Sequence, residues 1–124
     1  MNNVLITGGA GFIGHQLINK FLSETNDNIV VMDRLDTSGN LNRIMEVLEQ
    51  NSDWKKRVKF IWHDLKAPVN EVLAAQIGEI NYIFHLAAGS HVDRSIEYPM
   101  EFVMDNVVGT TNLLDYARTC LKDS

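Results

Sequence analysis

The stretch Thr7-Gly8-Gly9-Ala10-Gly11-Phe12-Ile13-Gly14 constrains this chain more than any other. It follows a short apolar run, Val4-Leu5-Ile6, and leads into an amphipathic segment, His15 to Ser23, with Leu17, Ile18, Phe21 and Leu22 on one side. That is strand, glycine turn and helix. Gly8 is expected to turn the chain where a Cβ would clash. Gly11 is expected to let a ligand approach the backbone, and Gly14 to let the helix lie close to the strand. A helix starting here offers free N–H groups and the positive end of its dipole to a pyrophosphate. A glycine cluster alone is more often only a turn. The strand before it, the helix after it and an acid about twenty residues on, Asp33, supply the context of a dinucleotide-binding loop.

The rest of the chain continues the alternation. Ile29-Val30-Val31-Met32 is an uninterrupted apolar run of the kind a parallel sheet buries on both faces, and it ends in Asp33. Arg34 to Asn40 reads as a polar loop. Leu41, Ile44, Met45 and Leu48 have helical spacing, and Asn51-Ser52-Asp53 ends that helix. Val58 to Trp62 reads as a third strand, closed by His63-Asp64. A short helix is expected after Pro68, with Val69, Val72, Leu73, Gln76 and Ile77 on one side and Gly78 as its cap. Ile80 to Leu86 reads as a fourth strand running into Ala87-Ala88-Gly89-Ser90. Pro99 opens a long helix to about Leu121, with Phe102, Val103, Val107, Leu113, Leu114 and Ala117 inward. The order β-α-β-α-β-α-β-α predicts an α/β fold: a Rossmann-type parallel sheet of order 3-2-1-4, helices on both faces, cut off after the fourth βα unit. Ligands in such sheets sit at the carboxyl ends of the strands, where the strand order reverses.

Composition narrows the function classes. A net charge of −5 in 124 residues, with no basic stripe, argues against a nucleic-acid surface. Lys55-Lys56-Arg57 is a lone basic cluster, read as a solvated face or loop. No apolar run approaches the ~20 residues of a membrane span, and the N-terminus lacks a signal-peptide pattern. Cys120 is the only cysteine, which fits a cytoplasmic setting.

Several residues carry possible chemistry. Asp33 can accept from both ribose hydroxyls of an adenosine and would repel a 2′-phosphate, which favours NAD over NADP; the adjacent Arg34 could instead welcome that phosphate. Asp64 can accept from an adenine amino group with Leu65 packed on the ring, or it can be a helix N-cap ahead of Pro68. The histidines 15, 63, 85 and 91 show no metal-ligand spacing, and His85, inside an apolar strand, reads as a satisfied core histidine. Trp54 and Trp62 read as packing residues.

The glycine stretch resembles the opening of the extended short-chain dehydrogenases/reductases. Asp33-Arg34-Leu35 with Ser38-Gly39-Asn40-Leu41 resembles their sugar-nucleotide branch. His85-Leu86-Ala87-Ala88, then Ser90-His91-Val92-Asp93-Arg94-Ser95-Ile96, with Asn106-Val107-Val108-Gly109-Thr110, is similar to the dTDP-glucose 4,6-dehydratase family. The resemblance covers the whole chain but only about the first third of such an enzyme. It implies an NAD cofactor, with Phe12 and Ile13 by the pyrophosphate and Asp33, Arg34, Leu35 and Asp36 along the adenosine ribose. Asp64 and Leu65 then flank the adenine. Leu86, Ala87, Ala88, Gly89 and Ser90 line the nicotinamide side, with Ser90 also near the sugar, and Asp105 stands among the cofactor contacts. Two positions depart from the family: Gly89 replaces a glutamate, and Asp105 replaces a threonine.

The implied chemistry is dehydration of a nucleotide sugar such as dTDP-glucose, with hydride passing transiently from sugar C4 to NAD and returning at C6 after water leaves. The family's base is a Tyr-x-x-x-Lys pair. Here Tyr82, Tyr98 and Tyr116 are followed four residues on by Leu86, Phe102 and Cys120, so no catalytic residue is assigned. Residues 1–124 read as an incomplete NAD-binding segment without the substrate domain, inactive alone. The sequence leaves three readings open: part of a dehydratase, or of a related epimerase or decarboxylase, completed by another chain; a stand-alone dinucleotide-binding module; or a remnant. The missing half is expected to leave the fourth strand with an open edge, favouring self-association or a complementing chain.

Overall fold

A computed structural model describes residues 1–36, 39–89 and 92–121. Four strands, β1 (Asn3–Thr7), β2 (Asn28–Asp33), β3 (Val58–Trp62) and β4 (Tyr82–His85), form one parallel sheet of order β3-β2-β1-β4, as the alternation predicts. The register sets Thr7 beside Met32 on one side and His85 on the other, and Asp33 beside Trp62. The carboxyl ends of all four strands therefore open on one edge of the sheet.

The apolar runs are continuous because both faces are covered. Val4, Ile6, Ile29 and Val31 face one core, closed by Ile18 and Leu22 of α1 (Phe12–Glu24) and by Ile44, Val47 and Leu48 of α2 (Leu41–Glu49). Leu5, Val30, Met32 and Ile61 face the other. That core is closed by Ile77 of α3 (Glu71–Ile77), and by Leu113 and Tyr116 of the last helix. Val4, Leu5 and Ile6 are fully buried, and each such side chain contributes roughly 1.5–3 kcal/mol. In α2 the buried face turns toward Val47, leaving Leu41 and Met45 partly exposed; Val72 of α3 is also exposed.

The basic cluster is only partly solvated. A 3-10 turn, Ser52–Arg57, brings the Arg57 guanidinium onto the C-terminal end of α1. It donates to the carbonyls of Leu22 (3.1 Å), Thr25 (2.6 Å) and Asp27 (3.0 Å). The last carbonyls of a helix lack intrahelical partners and carry the negative end of the dipole, so a cation is favoured there. Lys55 and Lys56 remain exposed. Trp54 packs against the first core as expected, whereas Trp62 is exposed, its Nε1–H donating to the Arg34 carbonyl at 2.8 Å.

The C-terminal region departs most from expectation. β4 is shorter than the apolar run, and a helix not foreseen, α4 (Val92–Glu97), precedes Pro99. The long helix is α5 (Pro99–Val103), a π-helical stretch (Met104–Val108) and α6 (Gly109–Cys120) in sequence. The wider π turn resets the helical phase. Gly109, Leu113 and Tyr116 become the buried face, and Val103, Val107 and Leu114 are left exposed instead of inward. β4 pairs with β1 alone among the described residues.

Candidate functional site

The glycine loop connects β1 to α1. Gly8 has φ +71°, and its N–H donates to the Met32 carbonyl at 2.8 Å. A Cβ on Gly8 would fall 2.7 Å from both the Leu86 carbonyl carbon and the Ala87 nitrogen, so the loop lies directly against the chain leaving β4. A Cβ on Gly14 would collide with the Gly8 carbonyl, which is how α1 comes close to β1. Gly9 was not singled out from the sequence; a Cβ there would collide with Val31 Cγ1. Gly11 differs from these three: its Cβ would meet only the Gly8 oxygen, at 3.1 Å, and otherwise open space. Gly11 is also the N-cap of α1, with no side chain capping the helix. The first-turn N–H groups have no carbonyl partner within the helix, and Phe12 and Ile13 hold their side chains out in solvent.

Asp33 closes β2 and is 8% exposed. Its Oδ2 accepts the Ala10 N–H at 3.0 Å and its Oδ1 accepts the Leu35 N–H at 2.8 Å, which ties the end of β2 to the glycine loop. The second bond stabilises Leu35 at φ +56°, a left-handed conformation costly for leucine. A carboxylate has about four acceptor positions, so Asp33 retains capacity for further donors. Gly39 passes over it; a Cβ there would lie 2.8 Å from Asp33 Oδ1, a role the sequence signalled only as a Gly in a polar loop. Ser38, Ser90 and His91 lie outside the described residues.

Arg34 is half-buried and held by carboxylates. Nε and Nη2 donate to Asp36 Oδ2 at 2.9 and 2.7 Å, while Nη1 and Nη2 form a two-pronged pair with Asp105 at 2.6 and 2.9 Å. Asp64 Oδ2 stands 3.6 Å from Nη1. Asp105 foremost, and then Asp36, hold the guanidinium pKa above its already high ordinary value against the effect of burial. Asp64 accepts the Lys66 N–H at 3.0 Å in a local turn, and it is Asn70 that caps α3. Burial works to raise the Asp64 pKa, but the Lys66 N–H and the Arg34 and Lys66 cations outweigh it and hold the carboxyl below its ordinary value. Leu65 is buried, its carbonyl accepting from Asn112 of α6 at 2.6 Å.

The opposite wall is the segment after β4. Thr7 Oγ1 accepts the N–H groups of Leu86 (3.1 Å) and Ala87 (3.3 Å), so the hydroxyl proton is left for His85 Nδ1 at 2.6 Å. His85 Nε2–H then donates to Thr110 Oγ1 at 3.0 Å. His85 is thus a satisfied structural histidine, and burial lowers its pKa. Gly89 exchanges two hydrogen bonds with the Asn106 side chain, at 2.7 and 3.1 Å, and its missing Cβ leaves room for the Phe102 ring.

These pieces converge on one open cleft at the carboxyl edge of the sheet, lined from the ends of all four strands. Of the residues expected there, Gly8, Gly11, Asp33, Arg34, Asp36, Asp64, Leu65, Leu86, Ala87, Ala88 and Asp105 line it. Phe12, Ile13, Leu35 and Gly89, also expected there, are not among its lining residues, and Gly14 acts through packing. His63, Lys66 and Gly39 also line the cleft without having been predicted to. No three His, Cys, Asp or Glu side chains among the described residues are grouped as a metal ion requires, and none of their helices is long and apolar enough to cross a membrane.

The family model described as GDP-mannose 4,6 dehydratase matches residues 5–124. The chain is 40% identical over 120 residues to dTDP-glucose 4,6-dehydratase of Neisseria meningitidis serogroup B, covering 95% of this chain and 32% of the relative. The structure of dTDP-glucose 4,6-dehydratase from Streptomyces venezuelae, solved with NAD bound, superposes with a TM-score of 0.79 at 33% identity, covering 93% of this chain and 35% of that one. A UDP-Glc/GlcNAc 4-epimerase from Campylobacter jejuni gives 0.82 at 30% identity, covering 97% and 34%. The chain thus spans about a third of the length of these relatives.

Proposed function

The chain belongs to the GDP-mannose 4,6 dehydratase family, and from that membership we propose that it forms the NAD-binding part of a nucleotide-sugar dehydratase of the dTDP-glucose 4,6-dehydratase type. The observation that carries the reading is the joint position of Gly11 and Asp33 on the cleft. An uncapped helix start opens onto the cleft at Gly11, and a buried carboxylate with spare acceptor capacity stands beside it, bonded to the Ala10 N–H. That donor and acceptor set fits a dinucleotide. The backbone at Phe12 and Ile13 would bind the pyrophosphate, and Asp33, with Leu35 and Asp36 beside it, the adenosine ribose. Asp64 and Leu65 would flank the adenine. Leu86 to Ser90 would border the nicotinamide ribose, with Ser90 also near the sugar. When bound, NAD would supply a reversible hydride acceptor.

This segment would hold and orient the cofactor; acid–base chemistry on a dTDP-glucose-like substrate would come from residues beyond those assigned here. Residues 1–124 are then one cofactor-binding unit of a cytoplasmic lyase. A second feature supports a partner strand. Tyr82 and Phe84 are exposed on β4, whose far side is unpaired among the described residues, and Val107 and Leu114 lie exposed on the last helical run. We read this as a surface that another strand covers, from a complementing segment or a second copy. Calorimetric titration tests the cofactor reading: the protein binds NAD, and Gly11→Val abolishes binding while the helical circular dichroism persists. Normal NAD binding by Gly11→Val would overturn it.

A further inference from the structure

Arg34 is the cation that a 2′-phosphate in this cleft would meet first, because it directly follows Asp33 at the end of β2 and lines the cleft. Its guanidinium makes four hydrogen bonds to Asp36 and Asp105, and Asp64 Oδ2 stands a further 3.6 Å from Nη1. Asp36 and Asp64 are near neighbours at the strand ends. Asp105 reaches in from the opposite wall, 71 residues along the chain, and its side chain is only 13% exposed. It takes both terminal nitrogens at once, and such two-pronged charge-assisted pairs are the strong ones. The π-helical stretch is what presents Asp105 here. The second cation of the cleft, Lys66, stands 3.5 Å from Asp64. Four carboxylates, Asp33, Asp36, Asp64 and Asp105, thus outnumber the two cations at this corner.

Resting on the reading of the cleft as an NAD site, we propose that Asp105 is a specificity-determining residue: by forking onto Arg34 it withholds that guanidinium from a 2′-phosphate, and so makes the site select NAD over NADP. Asp33 repels the phosphate directly. Asp105 acts through Arg34 and is a positioning residue. The two contributions separate because only the second depends on Arg34 being present.

The test is equilibrium binding of NAD and of NADP to the wild type, Asp105→Asn, Arg34→Gln and the double variant. The preference for NAD is expected to shrink about tenfold or more in Asp105→Asn, the scale of one charge-assisted hydrogen bond. In the Arg34→Gln background the same change is expected to leave the ratio of the two affinities where Arg34→Gln alone puts it. Asp105→Glu, which keeps a carboxylate, should keep the preference, and Asp105→Thr provides a second uncharged variant should Asp105→Asn fold poorly. An unaltered ratio in both uncharged variants, or a shift that persists without Arg34, overturns the proposal. A wild type that binds neither cofactor overturns the NAD reading itself, and this inference with it.

Discussion

Thr7 Oγ1 and His85 Nδ1 lie 2.6 Å apart across the β1–β4 pair, and the hydroxyl is the donor because two N–H groups already point at its oxygen. This contact sets the height of the cleft wall, since Leu86 and Ala87 hang from the same oxygen. Thr7 is fully buried. Thr7→Val would leave the Ala87 N–H and the His85 ring nitrogen without this partner, while the Leu86 N–H keeps the Thr7 carbonyl at 3.0 Å, and is expected to cost about 1–3 kcal/mol in chemical denaturation.

The same network predicts a pH dependence. Burial lowers the His85 pKa below its ordinary 6.5. As pH falls through 6.5 the unfolded chain takes up a proton at this position before the folded one does. His85 therefore contributes stability above about pH 6.5 that is lost as pH drops toward the lowered value. Denaturation midpoints at neutral and mildly acidic pH should fall less in His85→Gln than in the wild type; equal falls would contradict the assignment.

Arg57 is expected to matter and its neighbours are not. Arg57→Ala removes three donors from the C-terminal end of α1 and its connection to β2, and should destabilise by about 1–3 kcal/mol. Lys55→Ala and Lys56→Ala should stay within about 0.5 kcal/mol. Thermal or urea unfolding of the three variants checks this.

Gly89 and Phe102 should behave as a pair. Restoring the glutamate usual in the family, Gly89→Glu, drives a Cβ to within 2.7 Å of the Phe102 ring and is expected to cost about 1–3 kcal/mol. Phe102→Ala makes room, so the double variant should be more stable than the sum of the single effects predicts. Strict additivity would show that Phe102 does not exclude a side chain at 89.

The open side of β4 predicts association. Sedimentation of the purified protein at tens of micromolar should show self-association, and Tyr82→Lys, placing a charge on the exposed edge strand, should weaken it. A clean monomer throughout that range would contradict an adhesive edge.

The sheet and the loop were legible in the sequence because their signals are local. Continuous apolar runs ending in Asp33 and His63-Asp64, and glycines at 8, 11 and 14, report their own surroundings. The charge network was not legible, because Arg34 and Asp105 meet only through the fold; a single aspartate at 105 carries no sign of its partner. Arg57 was misread for the same reason, since a basic cluster looks alike whether it is solvated or capping a helix. Val103, Val107 and Leu114 were placed inward on an ideal helical period, which the π stretch shifts. Gly9 lay in plain view between two glycines that already had roles, and its contact with Val31 depends on the packing of the loop on β2.

The most direct test of the account is amide-resolved NMR of the protein titrated with NAD. The glycine-loop and first-turn amides from Gly8 to Gly14, and the Leu35 amide bonded to Asp33, are predicted to shift together and saturably. Amides on the opposite edge of the sheet, such as Lys59 and Gly78, should stay in place. Saturable NAD binding that moves other regions and leaves the Gly8–Gly14 amides unmoved, or no binding at all, would contradict the assignment of this cleft.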